Sequence, residues 1–535
     1  MDAAASFFTT LLKLAEKELT VNSRTYTNPI RPGFHPDPSI VRVGEDYYMV
    51  NSTFQFFPAI VISHSRDLVH WEYIGHAITE SDYIQLSDLP DSYGIWAPDI
   101  AYHEGTFYIM ATLRLHGSGR RNILMHSDRP EGPYSKPVTI NEEGLDPSLF
   151  IDDDGSRYMV FGGGGAKLLK LKDDMSGAEG ETVFLWPGTG KASPEGPHIL
   201  KKDGYYYIIL AEGGTEYGHC VTTARSRYLT GPYESCPDNP VHTQTDPAAA
   251  IQRAGHGKLV QTQHGEWWMV HLAGRPVAGN YCTLGRETCL EPVRWTADGW
   301  FEVNEGRGPS VTQRAPQLEE TVYSYPALDD FDETALPLHW QFARNPDEAK
   351  WSLTERPGCV RLWTGEADID TIEARNVLVR REQHHRYSAS MKLEFRPERD
   401  GEEAGLVCYY DTRCFVKLCV AQDSGLKLKL IERRASVTRE LQSAAIGQTE
   451  AKAIYLQVRV DRDVRSFYYS GDNENWVLAG RIGDAVFLSD EGTMEKKAFT
   501  GTMVGFYAVS GGSGRSIPAD IDWFHYVPEP PAAGE

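Results

Sequence analysis

The sequence predicts an all-β protein: a five-bladed β-propeller followed by a β-sandwich. Three observations predict it. A hairpin pattern is written five times between residues 25 and 305. The chain holds 49 Gly and 31 Pro, a supply of turn residues that suits many short strands. From about Leu328 onward, strand-like runs follow one another at regular spacing with period-two alternation and no helical pattern between them.

Taken in order, residues 1–24 read as an N-terminal extension. MDAAASFFTTLLKLAEKELT has an amphipathic, helix-like patch, but Asp2 stands where a signal peptide carries positive charge, and no small-residue cleavage site precedes KLAEKE. Residues 25–305 carry the repeat. DPSIVRVGEDYYMV starts at Asp37, DIAYHEGTFYIMA at Asp99, DPSLFIDDDGSRYMVF at Asp146, EGPHILKKDGYYYIIL at Glu195 and HGKLVQTQHGEWWMVH at His256. Each is a polar residue, an apolar run, a Gly/Asp turn and a second run opened by aromatics, which is a β-hairpin. The starts lie 62, 47, 49 and 61 residues apart, room for about four strands per unit. Such units stacked in a ring make a propeller whose first strands line the axis. The five polar residues then converge at one end of that axis. Any one of them alone reads as a hairpin cap. Three carboxylates gathered by symmetry repel one another and point to chemistry.

Residues 306–326, with Gly, Pro, Gln and charges, read as a linker. Residues 327–535 hold the sandwich strands, with one face of KLKLIER and of YLQVRVD buried by alternation.

The charge balance narrows the function. With 53 Lys and Arg against 75 Asp and Glu, the net charge of −22 repels phosphate backbones and anionic membranes. No apolar run reaches the ~18 residues of a membrane span. The eight cysteines form no C-x-x-C pair and have no histidine cluster beside them, so they read as buried thiols. The expectation is a cytoplasmic protein with a neutral ligand such as a sugar, no nucleic acid and no membrane, and with homo-oligomerisation left open.

Two carboxyl groups in a sugar-sized cleft are the minimum for cleaving a glycosidic bond. One must be protonated for the leaving oxygen, and the other ionised to activate water or attack carbon. A third acid nearby raises the pKa of at least one of the set. Residue type alone leaves the assignment of roles open.

NPIRPGFHPDPSIVRVGEDYYMV, STFQFFPAIVISHSRDLVHW, GIWAPDIAYHEGTFYI, GLDPSLFIDDDG, SPEGPHILKKDGYYYI, GGTEYGH, AGHGKLV and LGRET together resemble glycoside hydrolase family 43, in its β-xylosidase and α-L-arabinofuranosidase branch. The resemblance spans about 28–305, and the downstream sandwich resembles that branch's concanavalin-like domain. It implies an inverting hydrolase with Asp37 as general base, Glu195 as general acid and Asp146 as the residue that orients the acid and tunes its pKa. Inversion asks for a base and acid ~6.5–9.5 Å apart, to leave room for water. The resemblance also implies Arg286 on the glycone hydroxyls, with Trp96 and Phe54 as apolar walls. Glu216 and His219 are expected to line the cavity, and Arg114 to serve a subsite. Asp99 is read as bracing its blade. His256 resembles the family's axial histidine, which would organise a metal or water. No cofactor is required, and a bound Ca²⁺ is allowed although no EF-hand-like loop is present.

The expected substrate is a xylo-oligosaccharide or an arabinoxylan-derived one, with xylose released from non-reducing ends and α-L-arabinofuranosidase activity beside it. Two alternatives stand: an α-L-arabinofuranosidase acting on branches, and a non-catalytic sugar-binding propeller. Phe499 and Phe506 are both candidates to bring the sandwich to the pocket rim.

Overall fold

In the structure, a computed structural model that describes residues 24–447, 453–493 and 498–530, nearly all regular structure is β-strand. The expected N-terminal helix falls in residues 1–23, outside the described residues. Five antiparallel sheets follow one another along the chain, each with its main strands in sequence order. Their innermost strands are Ser39–Val43, Gly94–His103, Leu145–Ile151, Glu195–Lys202 and Gln252–Gln261. Each pairs with the next strand through the hairpin seen in the sequence, as in Ser39↔Val50 and Val43↔Asp46 of the first blade. This is the five-bladed propeller. Valines, isoleucines, methionines and aromatics buried on the blade faces pack between neighbouring blades.

The ring is closed by its own chain ends. Thr25–Thr27 pairs antiparallel with Thr312–Arg314, a strand inside the stretch whose composition reads as linker. Nearby, Asn28 Nδ2 donates to Leu290 O at 2.9 Å and Glu291 Oε1 at 3.0 Å, tying the entering chain to the last blade.

The heads of the inner strands share a backbone device. Asp37, Ala97, Asp146, Gly196 and His256 all have left-handed φ, between 34° and 58°. Two residues later come Ser39, Asp99, Ser148, His198 and Lys258, each at the same place in its hairpin ladder. In the last four blades a bulge separates the two positions. The structural equivalents of Asp37 are therefore Ala97 and Gly196, and Asp99 belongs to the next layer down. There it accepts from Ser39 Oγ at 2.7 Å and Lys258 Nζ at 2.5 Å, a buried brace between blades.

Among the described residues, the sandwich has one seven-stranded and one eight-stranded antiparallel sheet. Between them lies a core of Trp340, Phe506, Phe524, Leu418 and Val458, among others. Alternation sets these faces, and the Trp340 ring lies tilted at 5.1 Å from Phe506 and edge-on at 5.0 Å from Phe524. The sandwich is bound to the propeller by a two-way bridge, Phe57 N to Phe342 O at 2.9 Å and Phe342 N to Phe57 O at 2.6 Å. Arg344 adds an ion pair to Asp91 at 2.7 Å. All eight cysteines are buried free thiols. Among the described residues, no helix is long and apolar enough to cross a membrane.

Candidate active site

A cavity of ≈ 60 Å³ opens at the head of the propeller axis. Asp37, Asp146, Glu195, His256 and Arg286 line it with Phe54, Trp96, Ala97, Leu145, Thr215 and Phe499. The three carboxylates and Arg286 expected from the sequence are thus in one pocket. A wider seam cavity of ≈ 570 Å³ near His384 and His385 has, among the described residues, Glu529 as its only lining carboxylate, so it lacks a pair of carboxyls.

Asp37 is held rigidly. Its Oδ1 accepts from Arg286 Nη1 at 2.8 Å, and its Oδ2 accepts from Ser52 Oγ at 2.6 Å. Ser52 in turn accepts from Ala97 N at 2.7 Å, which ties the first blade to the second. Burial works against the Asp37 charge. Arg286, His256, the Ser52 hydroxyl and His219 outweigh it and hold the carboxyl below 3.8. Asp37 is therefore an ionised, oriented carboxylate.

Glu195 is the opposite case. Burial first, and then the Asp37 charge, push its pKa up to about 7 against the pull of Arg286 and Arg120. Asp146 is raised well above 3.8 by burial, Glu195 and Asp37. Both carboxyls are therefore biased towards the protonated form while Asp37 is ionised. Asp146 is fixed by its own N–H, which donates to Thr112 Oγ1 at 2.8 Å, and by Gly196 N donating to its Oδ2 at 3.2 Å. The last bond links it to the residue beside Glu195.

Gly196 explains why the acid sits one residue before the left-handed position. A Cβ at 196 would lie 2.9 Å from the His256 ring, so no side chain fits that seat. The carboxyl comes from its neighbour instead, on the longer glutamate.

The walls are aromatic. The Phe54 ring lies 6.2 Å from Trp96 and 6.1 Å from Phe499, and Trp96 lies 5.6 Å from Phe499. Arg286 Nη2 donates to Phe499 O at 3.0 Å, and Phe499 N donates to Ser92 Oγ at 3.1 Å. Phe499 is thus the sandwich residue in the pocket, while Phe506 is buried in the sandwich core.

Two expected liners, Glu216 and His219, and the expected subsite residue Arg114 stand elsewhere. Glu216 is exposed on the turn after the fourth blade's second strand, and its neighbour Thr215 faces the cavity instead. His219 is buried behind the wall, its ring against the Gly255 backbone. Arg114 is buried under Tyr93 and Trp96, 4.4 and 5.7 Å from their ring centres, and donates to Leu115 O and Gly119 O. It braces the rim turn and the indole. Thr215, Ser52 and Arg120 were not singled out by sequence reasoning.

His256 has its Nδ1 3.7 Å from Asp37 Oδ1, and burial lowers its pKa, which favours the neutral ring. Calcium asks for six to eight oxygens. Here the nearest carboxylate is already taken by Arg286 and Ser52, and among the described residues no group of three or more His, Cys, Asp or Glu could hold a metal. The protein donors around His256 do not form a calcium cage.

Residues 26–301 match the model of glycosyl hydrolases family 43, and residues 328–527 match that of a beta xylosidase C-terminal concanavalin A-like domain. A solved family 43 protein of Bacillus licheniformis is 56% identical, with a TM-score of 0.92 over 95% of this chain and 100% of its own. A solved xylan beta-1,4-xylosidase of Bacillus halodurans is 40% identical, with a TM-score of 0.89 over 94% of this chain and 100% of its own. A non-reducing end alpha-L-arabinofuranosidase of Bacteroides ovatus is 36% identical over 96% of this chain and 97% of its own length.

Proposed function

The chain belongs to glycosyl hydrolases family 43, and from that membership we propose an inverting exo-glycosidase that releases xylose from the non-reducing ends of β-1,4-xylo-oligosaccharides. One observation carries the reading: a small pocket holds an ionised carboxylate, Asp37, and a carboxyl whose pKa is raised to about 7, Glu195. That is the split an acid–base pair needs at neutral pH.

In this reading Asp37 takes a proton from water as the water attacks the anomeric carbon. Glu195 delivers its proton to the leaving oxygen. Asp146 orients the backbone beside Glu195 through the Gly196 N–H, and we infer that it tunes the acid from there. Arg286 keeps Asp37 ionised and presents its planar donors to vicinal hydroxyls. Phe54, Trp96 and Phe499 cover the pentose faces and limit the pocket to one sugar unit. No cofactor enters any step.

The second reading, an α-L-arabinofuranosidase acting on branches, is favoured by the Bacteroides ovatus relative. The two pentoses offer similar hydroxyls to one pocket, and we propose that both are accepted. A cytoplasmic location is proposed on the support of the eight buried thiols. The test is kcat/KM on 4-nitrophenyl β-D-xyloside and α-L-arabinofuranoside side by side. A xyloside lead of about tenfold, or about 1.4 kcal/mol, supports the first reading. An arabinofuranoside lead replaces it with the second. Silence on both, with folded protein, overturns the catalytic assignment.

A further inference from the structure

The carboxyls and Arg286 come from the propeller, whereas Phe499 comes from the sandwich. Arg253 sits where these two contributions meet. It is 3% exposed and has a left-handed φ of 62°. Its Nε donates to the carbonyl of Thr215, a pocket-wall residue, at 2.7 Å. Its Nη1 donates to Glu491 Oε1 and its Nη2 to Asp490 Oδ2, both at 2.8 Å and both in the sandwich.

Those two carboxylates reach further. Asp490 Oδ1 accepts from Tyr410 OH at 2.6 Å, inside the sandwich. Glu491 Oε2 accepts from Cys282 N at 3.0 Å, back in the propeller. Cys282 opens the turn that carries Arg286, closed by Gly285 N to Cys282 O at 2.9 Å. The same turn is bonded to the sandwich past Phe499, through Thr502 N to Thr283 O at 3.0 Å. One guanidinium is therefore bonded, directly or through one carboxylate, to the backbone that carries Thr215 and Arg286. It also anchors the sandwich ahead of Phe499.

A planar fork meets three acceptors only in one relative placement of the elements that bear them. If the two sides separated, the buried carboxylate of Asp490 and the half-buried one of Glu491 would lose their cation, so the placement is preferred. We propose that Arg253 is a positioning residue of the active site: it locks Thr215 of the propeller to Asp490 and Glu491 of the sandwich and so sets the closed width of the glycone pocket. The pocket then grips one terminal pentose, which deepens the exo-pentosidase reading above and rests on it.

The test measures kcat, KM, pH profiles and melting temperature for Arg253→Gln, Arg253→Lys, Phe499→Ala and the double variant Arg253→Gln/Phe499→Ala. The substrate is whichever 4-nitrophenyl pentoside the wild type hydrolyses, so wild-type turnover reads the pentosidase assignment by itself. The expected result is a KM about tenfold higher in Arg253→Gln, with kcat changed less than about threefold and both pH limbs unmoved. Arg253→Lys recovers part of the loss. The double variant is within about twofold of Phe499→Ala alone, because both changes loosen the same wall. A folded Arg253→Gln with wild-type KM and only a lower melting temperature overturns the proposal, as do effects that multiply. If Arg253→Gln does not fold, Glu491→Gln is read in its place, with a smaller KM rise expected and a wild-type KM overturning. Should the wild type hydrolyse neither pentoside, the pentosidase reading falls, and calorimetric xylose affinity of the same proteins reads the clamp.

Discussion

Arg286 Nη1 stands 2.8 Å from Asp37 Oδ1, a charge-assisted bond buried at the floor of the pocket. It ties the ionised Asp37 carboxylate to the propeller's last blade, and it acts on Glu195 as well. Removing it changes both ends of the pH profile.

Arg286→Gln is expected to raise the pKa of Asp37, since burial is then less opposed. The acid limb of kcat/KM moves up by about 1–3 pH units, as for a carboxylate losing an adjacent arginine. Glu195 loses a lowering influence too, so the alkaline limb also moves up. An unmoved acid limb in a folded variant contradicts the role given to Asp37.

Glu195→Gln separates acid from base. Turnover of xylobiose, whose leaving sugar needs a proton, is expected to fall by about 10²–10⁴-fold. An aryl xyloside with an acidic leaving group suffers much less, and the alkaline limb near pH 7 disappears from its profile. Asp37→Asn, by contrast, disables both substrates alike. Equal losses on both substrates in Glu195→Gln would remove it from the acid role.

The same substitution has a stability signature. The folded pKa of Glu195 is raised from 4.5 to about 7, so the native state holds a proton that the unfolded chain releases. As pH rises from 4.5 to 7, this group alone costs stability, up to about 3 kcal/mol, and the cost is constant above. Glu195→Gln is therefore expected to melt higher than wild type at pH 7.5 and no differently at pH 4. Thermal denaturation at the two pH values checks the sign.

Inversion predicts the product's anomer. Proton NMR during hydrolysis of a β-xyloside is expected to show α-xylose first, with β-xylose growing in by mutarotation. Initial β-xylose would instead require a covalent glycosyl-enzyme.

The propeller was legible because five hairpins repeat at the spacing of a four-stranded unit, and the sandwich because alternation survives where one face is buried. Asp37, Asp146 and Glu195 were legible because each heads an inner strand. The displacement of Asp99 was not. Asp37, Ala97, Asp146, Gly196 and His256 share a left-handed backbone with no common side chain, so residue type does not announce the bulge. Glu216 and Thr215 differ by one place in a turn without periodicity, and only the three-dimensional path decides which faces inward. Met503–Val509, which contains Phe506, is buried on both faces, so its apolar run has no readable direction. Phe499 lies outside any strand, where no pattern marks it.

The clasp of Thr25–Thr27 on Thr312–Arg314 has a consequence for biosynthesis. A nascent chain that has emerged as far as Arg314 already contains every carboxyl of the site and the means to close its ring. Phe499 and the partners of Arg253 are translated much later. Asp37, Asp146 and Glu195 are thus made long before the aromatic ring that covers them from the sandwich. On the proposed reading, the complete pocket waits for the segment that carries Phe499, and a chain truncated before it would lack that roof.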